Sequence, residues 1–437
     1  SLKHMDIKEA KHIHFIGIGG IGISALAKMM HHKGVRVSGT NDSQSPETLD
    51  ELQRVRVPIQ VTTTSGVLPD DADVFVYSVA WENRAPQILE VARSTGKPVL
   101  SYFEAVGEVA KEYTTIAISG THGKTTTTAM VAQILIHAEL DPTVIVGSLV
   151  DFDGKKTNFR GGNSEYRVVE ACEYKRHFAQ FNPHVFGITN VEMDHPDYYK
   201  DLTDVQDAFR TVTLQSETVV CNPGNPSIQA VMSGLNTPVI DYTKHLYAVP
   251  ELRLLGEHNK KNAALALAIA DTLGVRVDIA QEALEKFRGS WRRMEYKGTT
   301  GKGAKVYDDY AHHPTEIKAT LKAIREEYPG KRIIAVFEPH MFSRTKVLFE
   351  DFGKAFTDAD MVVIAPIYAA RESDDGTVSA ETLAQEVSKH HSDVRASRTL
   401  EEATNLGNEL AENKKDVLVF MSAGDIYLHI PRIIEGH

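Results

Sequence analysis

ISGTHGKTTTT, residues 118–128, lies between an apolar run, TTIAI, and a helical pattern, AMVAQILIHAEL. A strand that turns through glycines into a helix beginning with Lys-Thr directs backbone N–H groups and the positive end of the helix at one point, where a phosphate binds. The loop from Gly120 to Lys124 is two residues shorter than G-x-x-x-x-G-K-[ST]. The prediction of phosphate binding therefore depends more on the strand before the loop and the helix after it than on a match to that pattern. The structural alternative is a capped helix after a strand.

The residues of this loop predict a nucleotide phosphate site. The ammonium group of Lys124 would neutralise the β and γ phosphates, and the hydroxyl of Thr125 would hold Mg²⁺. The predicted phosphate site consists of Gly120, Thr121, His122, Gly123, Lys124, Thr125 and Thr126.

Strands and helices alternate along the whole chain. HIHFIGI, VRVSGT and DVFVYSV before the loop are typical of strands, and so are RVVEACEY, HVFGITN, KVYDDY, RIIAVFE and DVLVFMS after it. The pattern predicts an α/β protein of three domains. They are a Rossmann-like N-terminal domain, residues 1–109, a central P-loop ATPase-like domain, residues 110–290, and a Rossmann-like C-terminal domain, residues 291–437.

A second glycine motif, HFIGIGGIG at residues 14–22, has the form of a dinucleotide fingerprint. Gly17, Gly19 and Gly22 satisfy G-x-G-x-x-G after a short apolar run, and by itself the motif is compatible with an NAD-dependent oxidoreductase. The glycines permit a tight turn from a strand into a helix, and this geometry indicates only that a phosphate binds at the start of the helix. Asp42, near the end of the next strand, is placed to contact a ribose or sugar of that ligand.

Composition narrows the class of protein. The 437 residues are 24% charged with a net charge of −11, which argues against a general nucleic-acid binder because phosphate backbones require clustered Lys and Arg. No apolar run approaches the ~18 residues that cross a bilayer, and the N-terminus lacks the apolar segment of a signal peptide. The two cysteines, Cys172 and Cys221, suit a reducing compartment. We therefore expect a cytoplasmic protein without a membrane span.

Acidic and imidazole side chains follow two of the predicted strands. Glu170 lies near the end of RVVEACEY, and Asn190, Asp194 and His195 follow HVFGITN. Mg²⁺ prefers oxygen ligands and accepts few protein groups. Because a phosphate loop is expected nearby, these strand ends are the candidates for a metal site. Taken alone, Glu170 is explained equally well as a solvated carboxylate at a strand end, and His195 as an ordinary histidine of a turn.

Seven motifs resemble those of the Mur ligases, in the order that the family has them. They are GTHGKTTTT, EACEY, TNVEMDH, GEHNKKNA, RRMEY, DDYAHHPTEIKATL and EPHMFSRT. The resemblance covers nearly the whole chain and implies a ligase of peptidoglycan synthesis that uses ATP and Mg²⁺. Such an enzyme activates a carboxylate as an acyl phosphate, which an amine then attacks. EPHMFSRT and IYAARE resemble the branch of the family that joins L-alanine to UDP-N-acetylmuramate.

The resemblance also assigns roles to residues. It implies metal contacts for Thr125, Glu170 and His195, and nucleotide contacts for Asn259, Arg293 and Asp309. His340 and Arg344 resemble residues near the incoming amino acid, where a planar guanidinium matches a carboxylate, and Tyr368 and Arg371 join them. The residues implied in catalysis are Lys124, Glu170, His195, His340 and Arg344. The glycine motif becomes a clamp for the diphosphate of UDP-N-acetylmuramate, formed by Gly17, Gly19, Gly20, Gly22 and Asp42.

Three alternatives stay open at this point. A murein-peptide recycling ligase shares the phosphate loop, GEHN and DDxAHHP, but attaches a tripeptide in place of L-alanine. An NAD-dependent oxidoreductase would use the first glycine motif but has no need of Lys124. A Mur-like regulatory ATPase would bind the ligands without joining them. We expect UDP-N-acetylmuramate and L-alanine as partners, no nucleic acid, and a monomer or weak homodimer.

Overall fold

The computed structural model describes residues 7–42, 46–62, 68–152, 154–370 and 372–434. Within them lie three separate β-sheets, each flanked by helices and each dominated by parallel pairing. The predicted α/β fold with three domains is therefore confirmed. The domain boundaries after residues 109 and 290 stay predictions; both fall between the last strand of one sheet and the first strand of the next. The longest helix has 16 residues, and none in the described ranges is long and apolar enough to cross a bilayer.

The N-terminal part is a five-stranded parallel sheet in the order β3-β2-β1-β4-β5. Its central strand, β1, is completely buried, as the apolar run in the sequence requires. The strands are β1 (His12–Ile16), β2 (Arg36–Asn41), β3 (Ile59–Val61), β4 (Val74–Tyr77) and β5 (Val99–Ser101), and the helices are α1 (Ile21–His32), α2 (Pro46–Arg54), α3 (Trp81–Arg84), α4 (Pro86–Ser94) and α5 (Tyr102–Ala110), with a 3-10 helix at Ile7–Glu9.

The central part is a seven-stranded sheet in the order β12-β11-β10-β6-β9-β7-β8. The strands are β6 (Thr114–Ser119), β7 (Thr143–Phe152), β8 (Lys155–Arg160), β9 (Tyr166–Glu170), β10 (Val185–Ile188), β11 (Thr218–Cys221) and β12 (Val239–Asp241), and the helices are α6 (Lys124–His137), α7 (Leu202–Leu214), α8 (Pro226–Met232), α9 (Glu257–Thr272) and α10 (Val277–Lys286), with 3-10 helices at Tyr174–Gln180 and Tyr242–Ala248. Strand β6 pairs in parallel with β9 and β10, so the ends of all three strands meet at one edge of the sheet.

The C-terminal part is a six-stranded sheet in the order β13-β14-β18-β15-β16-β17, in which only the edge strand β13 pairs antiparallel. The strands are β13 (Glu295–Thr299), β14 (Lys305–Asp309), β15 (Arg332–Glu338), β16 (Met361–Ile364), β17 (Val394–Ala396) and β18 (Asp416–Ser422), and the helices are α11 (Pro314–Glu327), α12 (Phe342–Val347), α13 (Phe349–Gly353), α14 (Ala380–Ser388) and α15 (Leu400–Leu410), with a 3-10 helix at Ile426–Ile433. The end of β14 carries Asp309 into a cavity that residues of the central part also line.

Candidate functional site

The phosphate loop connects β6 to α6 through two glycines with positive φ. Gly120 has φ +143° and Gly123, the residue before α6, has φ +78°. A Cβ on Gly120 would lie 1.8 Å from Thr189 Oγ1, and one on Gly123 would lie 2.6 Å from Asn262 Oδ1. Only glycine fits both the backbone conformation and the space at these positions. The tight turn aims the N-terminal end of α6 at the edge where β6, β9 and β10 end.

Lys124 is held at this edge by an acidic partner. Its Nζ donates to the carbonyl oxygen of Gly120 at 2.5 Å and to Glu173 Oε1 at 3.0 Å. Burial alone would lower the pKa of Lys124, but the charges of Glu173 and Glu170 and the hydrogen bond to Glu173 together outweigh it, and the pKa is raised. The ammonium group is therefore charged at every physiological pH, as the neutralisation of a phosphate requires.

Two carboxylates of β9 and the loop after it surround the start of α6. Glu170 accepts a hydrogen bond from Thr125 Oγ1 at 2.9 Å and another from the backbone N–H of Gly147 at 2.6 Å. Glu173, three residues later, pairs with Lys124 and lies 3.5 Å from His195 Nε2. His195, which has φ +52°, also lies 3.7 Å from Asp194 Oδ2. The structure thus brings Thr125 and Glu170 together, and it places His195 against Glu173 and Asp194.

This arrangement can hold a divalent cation. Ligand atoms of Glu173, Asp194 and His195 lie within 4.8 Å of one another, and the buried Nδ1 atom of His195 has no hydrogen-bond partner. Carboxylate and hydroxyl oxygens beside a phosphate loop are the donors that Mg²⁺ prefers. The group of His122, Glu192 and His313 is equally compact, but both ring nitrogens of His313 are engaged, with the Met193 carbonyl and the Thr315 N–H. The first group fits Mg²⁺ better.

A cavity of about 430 Å³ opens between the central and C-terminal parts. It lies between the phosphate loop and α9 on one side and α11 and the end of β14 on the other. Six of the ten residues predicted to contact the nucleotide line it: His122, Gly123, Thr126, Asn259, Arg293 and Asp309. A volume of this size accommodates a nucleoside.

Asp309 and Arg293 both line this cavity. Burial raises the pKa of Asp309 to about 6, against the opposing charge of Arg293 and a hydrogen bond from Thr320. Asp309 also accepts the N–H of Ala311 at 3.0 Å. The Asn259 amide donates to the carbonyl oxygen of Leu255 at 2.7 Å, which fixes its orientation at the first turn of α9. The polar groups of the cavity are held in place by the protein itself.

The C-terminal part contacts the central part through a buried ion pair. Arg344 Nε donates to Asp194 Oδ1 at 2.8 Å, and both side chains are at least 95% buried. Arg344 Nη1 lies 2.8 Å from His340 Nδ1, and the His340 ring stacks on that of Tyr368 at 5.4 Å. Arg344, His340 and Tyr368 therefore form one cluster beside the metal-binding group. Arg371 lies outside the described residues.

The phosphate loop also contacts the C-terminal part through His122. Its Nε2 lies 3.2 Å from Glu192 Oε2, and its Nδ1 lies 3.3 Å from Glu316 Oε1 of α11. Burial alone would lower the pKa of His122, but hydrogen bonds to the two carboxylates outweigh it and raise the pKa to about 9. His122 is thus a cation that bridges an acid of each part.

The His122 bridge predicts a stability that depends on pH. Because its pKa rises from 6.5 to about 9 on folding, its stabilisation is complete below pH 6.5 and is lost as the pH rises through 9. We expect the free energy of unfolding of the nucleotide-free protein to fall by on the order of 2–3 kcal/mol across this window. Chemical denaturation at several pH values measures the slope, which His122→Gln should remove. An equal slope in the variant would contradict the assignment.

The glycine motif of the N-terminal part forms the predicted tight turn between β1 and α1. Gly17 has φ +78°, and a Cβ there would lie 2.3 Å from Trp81 Nε1. The N–H of Gly19 donates to Asn41 Oδ1 at 3.1 Å, and Gly20 precedes the first turn of α1. A Cβ on Gly22 would approach the ring of Tyr102 to 2.9 Å. The turn is close-packed, with its backbone N–H groups at the start of a helix.

Asp42 lies beside this turn and is paired with Arg84 at 2.6 Å. The charge of Arg84 also acts on the pKa of Tyr368, so the N-terminal and C-terminal parts approach each other here.

Three acidic residues of this site were not predicted from the sequence: Glu173, Glu192 and Glu316. Glu173 could have been found, because it lies in the same motif, EACEY, as Glu170. Glu192 and Glu316 lie in TNVEMDH and HHPTE, but no local pattern indicates that both face His122. Their pairing depends on how two parts of the chain pack.

Comparison with known proteins matches all three parts of the chain to family models. Residues 12–114 match the Mur ligase family catalytic domain, residues 118–249 the Mur ligase middle domain, and residues 292–424 the Mur ligase glutamate ligase domain.

Individual relatives cover almost the full length. The UDP-N-acetylmuramate–L-alanine ligase of Clostridium kluyveri is 37% identical over 97% of both chains, and that of Clostridium novyi is 38% identical over 95% of this chain and 96% of its own. Among solved structures, the UDP-N-acetylmuramate–alanine ligase of Thermotoga maritima superposes with a TM-score of 0.77 at 28% identity, covering 97% of this chain and 98% of its own. The chain belongs to the Mur ligase family.

Proposed function

We propose that this protein is the ATP-dependent ligase that joins L-alanine to the carboxylate of UDP-N-acetylmuramate in peptidoglycan synthesis. The observation that carries the proposal is that one edge of the central sheet gathers a phosphate loop, a metal-binding group and the Arg344 cluster of the C-terminal part. Relatives that carry this activity in their names align over nearly the whole chain. The carboxylate of UDP-N-acetylmuramate and the γ-phosphate of ATP can therefore meet beside the residues proposed to bind the amino acid.

The chemistry needs positioning and charge neutralisation more than a nucleophilic side chain. The substrate carboxylate attacks the γ-phosphorus, the bond to ADP breaks, and an acyl phosphate forms. The amine of L-alanine then attacks the acyl carbon, loses a proton and releases phosphate. Lys124 and the N–H groups from Gly120 to Thr126 would hold the phosphates through both steps. Asn259, Arg293 and Asp309 would bind the adenosine.

Mg²⁺ would be held by Thr125, Glu170 and His195, with Glu173 as a further oxygen donor. When bound, it would neutralise charge that builds up on the transferred phosphoryl group. His340, Arg344, Tyr368 and Arg371 would bind the amino acid. In Arg344, Nε and Nη1 are engaged with Asp194 and His340, and Nη2 is the guanidinium nitrogen that the described residues leave for a carboxylate.

The N-terminal turn would bind the other substrate. Gly17, Gly19, Gly20 and Gly22 form the tight turn that leads into α1, and a diphosphate would be stabilised by the N-terminal end of that helix. Asp42 would contact the sugar or ribose. We further propose a cytoplasmic enzyme that acts as a monomer or weak homodimer.

The decisive experiment measures phosphate release with ATP, Mg²⁺ and UDP-N-acetylmuramate in the presence of either L-alanine or a murein tripeptide. We expect turnover with L-alanine and little with the tripeptide. Preference for the tripeptide would overturn the choice of amino acid but not the ligase chemistry. Nucleotide hydrolysis without any product would favour the regulatory ATPase, and reduction of NAD would favour the oxidoreductase.

Asp309 predicts a pH dependence of nucleotide binding. Its pKa lies at about 6, and the ionised carboxylate is the stronger acceptor for ribose hydroxyls. As the pH falls through 6 the carboxylate is protonated, so we expect the Kd for ADP to rise about tenfold from about pH 7 to about pH 5. Calorimetric titrations at both pH values test this. Asp309→Asn should bind ADP more weakly, with a Kd that no longer follows this pH step; the same step in the variant would refute it.

A further inference from the structure

A buried polar network joins the N-terminal and central parts where the hairpin of β7 and β8 lies against α1. Asn158, on β8, is completely buried, and its side-chain amide donates to the carbonyl oxygen of Ile21 and, at 3.0 Å, to Ser24 Oγ. Its Oδ1 atom accepts from Lys28 Nζ at 2.8 Å. Ile21 and Ser24 belong to the first turn of α1. A residue of the central part is therefore hydrogen-bonded to the start of the helix that follows the glycine turn.

Lys28 extends this network to α2. Its Nζ lies 2.5 Å from Glu51 Oε2, and Glu51 also accepts the hydroxyl hydrogen of Thr157, on β8, at 3.1 Å. One helical turn before Glu51, Thr48 Oγ1 donates to the carbonyl oxygen of Gly19 at 2.7 Å. The hairpin of the central part thus reaches the glycine turn by two routes, one through α1 and one through α2.

Burial fixes the partners within this network. Lys28 is 6% exposed, and burial lowers the pKa of Lys28 against the opposing effect of Glu51. A buried ammonium group requires carboxylate or amide oxygens around it, so Oδ1 of Asn158 must face Lys28 and the NH₂ group must face α1. Movement of the hairpin relative to α1 would break several buried hydrogen bonds at once, and the two elements are therefore held in one arrangement.

The other strand of the hairpin contacts a proposed metal ligand. The backbone N–H of Gly147, on β7, donates to Glu170 Oε2 at 2.6 Å. In the proposed function, the diphosphate of UDP-N-acetylmuramate binds at the glycine turn, and the carboxylate of the same molecule reacts beside the metal. One hairpin is hydrogen-bonded near both places, so it links the two ends of the site for this substrate.

We propose that Asn158 is a positioning residue for UDP-N-acetylmuramate, because it fixes the first turn of α1, and with it the glycine turn, in the orientation that receives the diphosphate. The site for this substrate is then complete only when the hairpin of the central part is docked on α1. This inference rests on the proposed role of the glycine turn. Asn158 acts through Ile21 and Ser24 and needs no contact with the substrate.

The test measures binding of UDP-N-acetylmuramate and of ADP to the full chain by calorimetry in the presence of Mg²⁺. For Asn158→Ala we expect the Kd for UDP-N-acetylmuramate to rise about tenfold, the size of effect that loss of a buried hydrogen bond produces. The Kd for ADP should change less than about twofold, because the nucleotide cavity lies at a separate place. In steady-state kinetics the KM for UDP-N-acetylmuramate should rise, with kcat kept within about threefold.

A milder pair of variants separates positioning from folding, since Asn158→Ala also removes a buried side chain. Thr157→Val keeps the shape of the side chain but loses the hydroxyl that reaches Glu51, and we expect the Kd for UDP-N-acetylmuramate to rise about two- to fivefold. Thr157→Ser keeps the hydroxyl and should restore the affinity of the unchanged protein. A purely structural role would show the same small effect in both variants and for both ligands.

Asn163→Ala serves as the matched control, because Asn163 is an exposed asparagine after β8 whose amide donates to Asp141 of the same part. It should bind both ligands as the unchanged protein does. An unchanged Kd for UDP-N-acetylmuramate in Asn158→Ala and Thr157→Val, or an equal rise in the Kd for ADP, would overturn the proposal. Failure of the unchanged protein to bind UDP-N-acetylmuramate would instead refute the proposed substrate, and this inference with it.

Discussion

Lys124→Ala is expected to reduce phosphate release by about 10³-fold or more in kcat/KM, while UDP-N-acetylmuramate still binds. The ammonium group is the cation at the phosphate loop, and removal of a preorganised charge from a phosphoryl-transfer site has effects of this size. Initial rates of phosphate release give the activity. Calorimetry with UDP-N-acetylmuramate gives the binding, which takes place at the separate N-terminal turn.

The design must separate lost chemistry from lost folding. Lys124→Ala leaves Glu173 as a buried carboxylate without its cation, and this costs about 3–5 kcal/mol of stability. The double variant with Glu173→Gln removes that charge and should recover thermal stability without recovering activity. Lys155→Ala, an exposed lysine of β8, is the matched control and should keep full activity. Retained ligation by Lys124→Ala would refute the assignment of the phosphate loop.

Arg344→Ala is expected to lower kcat/KM for L-alanine by about 10²-fold or more, with much of the effect in the KM for L-alanine. Two functions are lost together: the contact to the amino-acid carboxylate through Nη2, and the buried tie to Asp194 between two parts of the chain. Loss of one partner of a buried, hydrogen-bonded charge pair costs about 2–5 kcal/mol. Steady-state kinetics with L-alanine as the varied substrate measures the change.

Arg344→Lys distinguishes the two functions. Lysine keeps the charge beside Asp194 but lacks the planar fork, so we expect stability near that of the unchanged protein and a KM for L-alanine that stays raised. Arg398→Ala, at an exposed arginine of the C-terminal part, is the control. If Arg344→Ala lowered only thermal stability and left the KM unchanged, Arg344 would be a structural tie and not a contact of the amino acid.

Much of the fold could be predicted because its signals are local. The apolar runs of β1, β10 and β18 are buried throughout, and β6 is buried from Thr115 onward, as strands covered on both faces must be. The hairpin of β7 and β8 was not predicted. Its side chains alternate less regularly, and its position at the edge of the central sheet depends on α1 of the preceding part, where Lys28 donates to Asn158 at 2.8 Å.

Some residues of the candidate site are likewise positioned by local sequence, and others only by tertiary packing. Lys124 and Thr125 are placed by the loop itself, so their positions follow from glycine spacing and the helix that comes next. His195 was predicted beside Glu170 and Thr125, and the structure shows its Nε2 atom 3.5 Å from Glu173 and 3.7 Å from Asp194. Such distances depend on strand register and loop conformation, which the order of motifs does not specify.

Local sequence patterns were enough to establish the α/β class, the phosphate loop and the membership of the Mur ligase family, because each is a local arrangement of glycine, apolar and charged residues. Which charges pair with each other depends on tertiary packing. Arg344 with Asp194 and His122 with Glu316 are contacts between residues at least 150 positions apart. They form because two separately folded sheets pack with their polar edges together, and burial there requires every charge to find a partner.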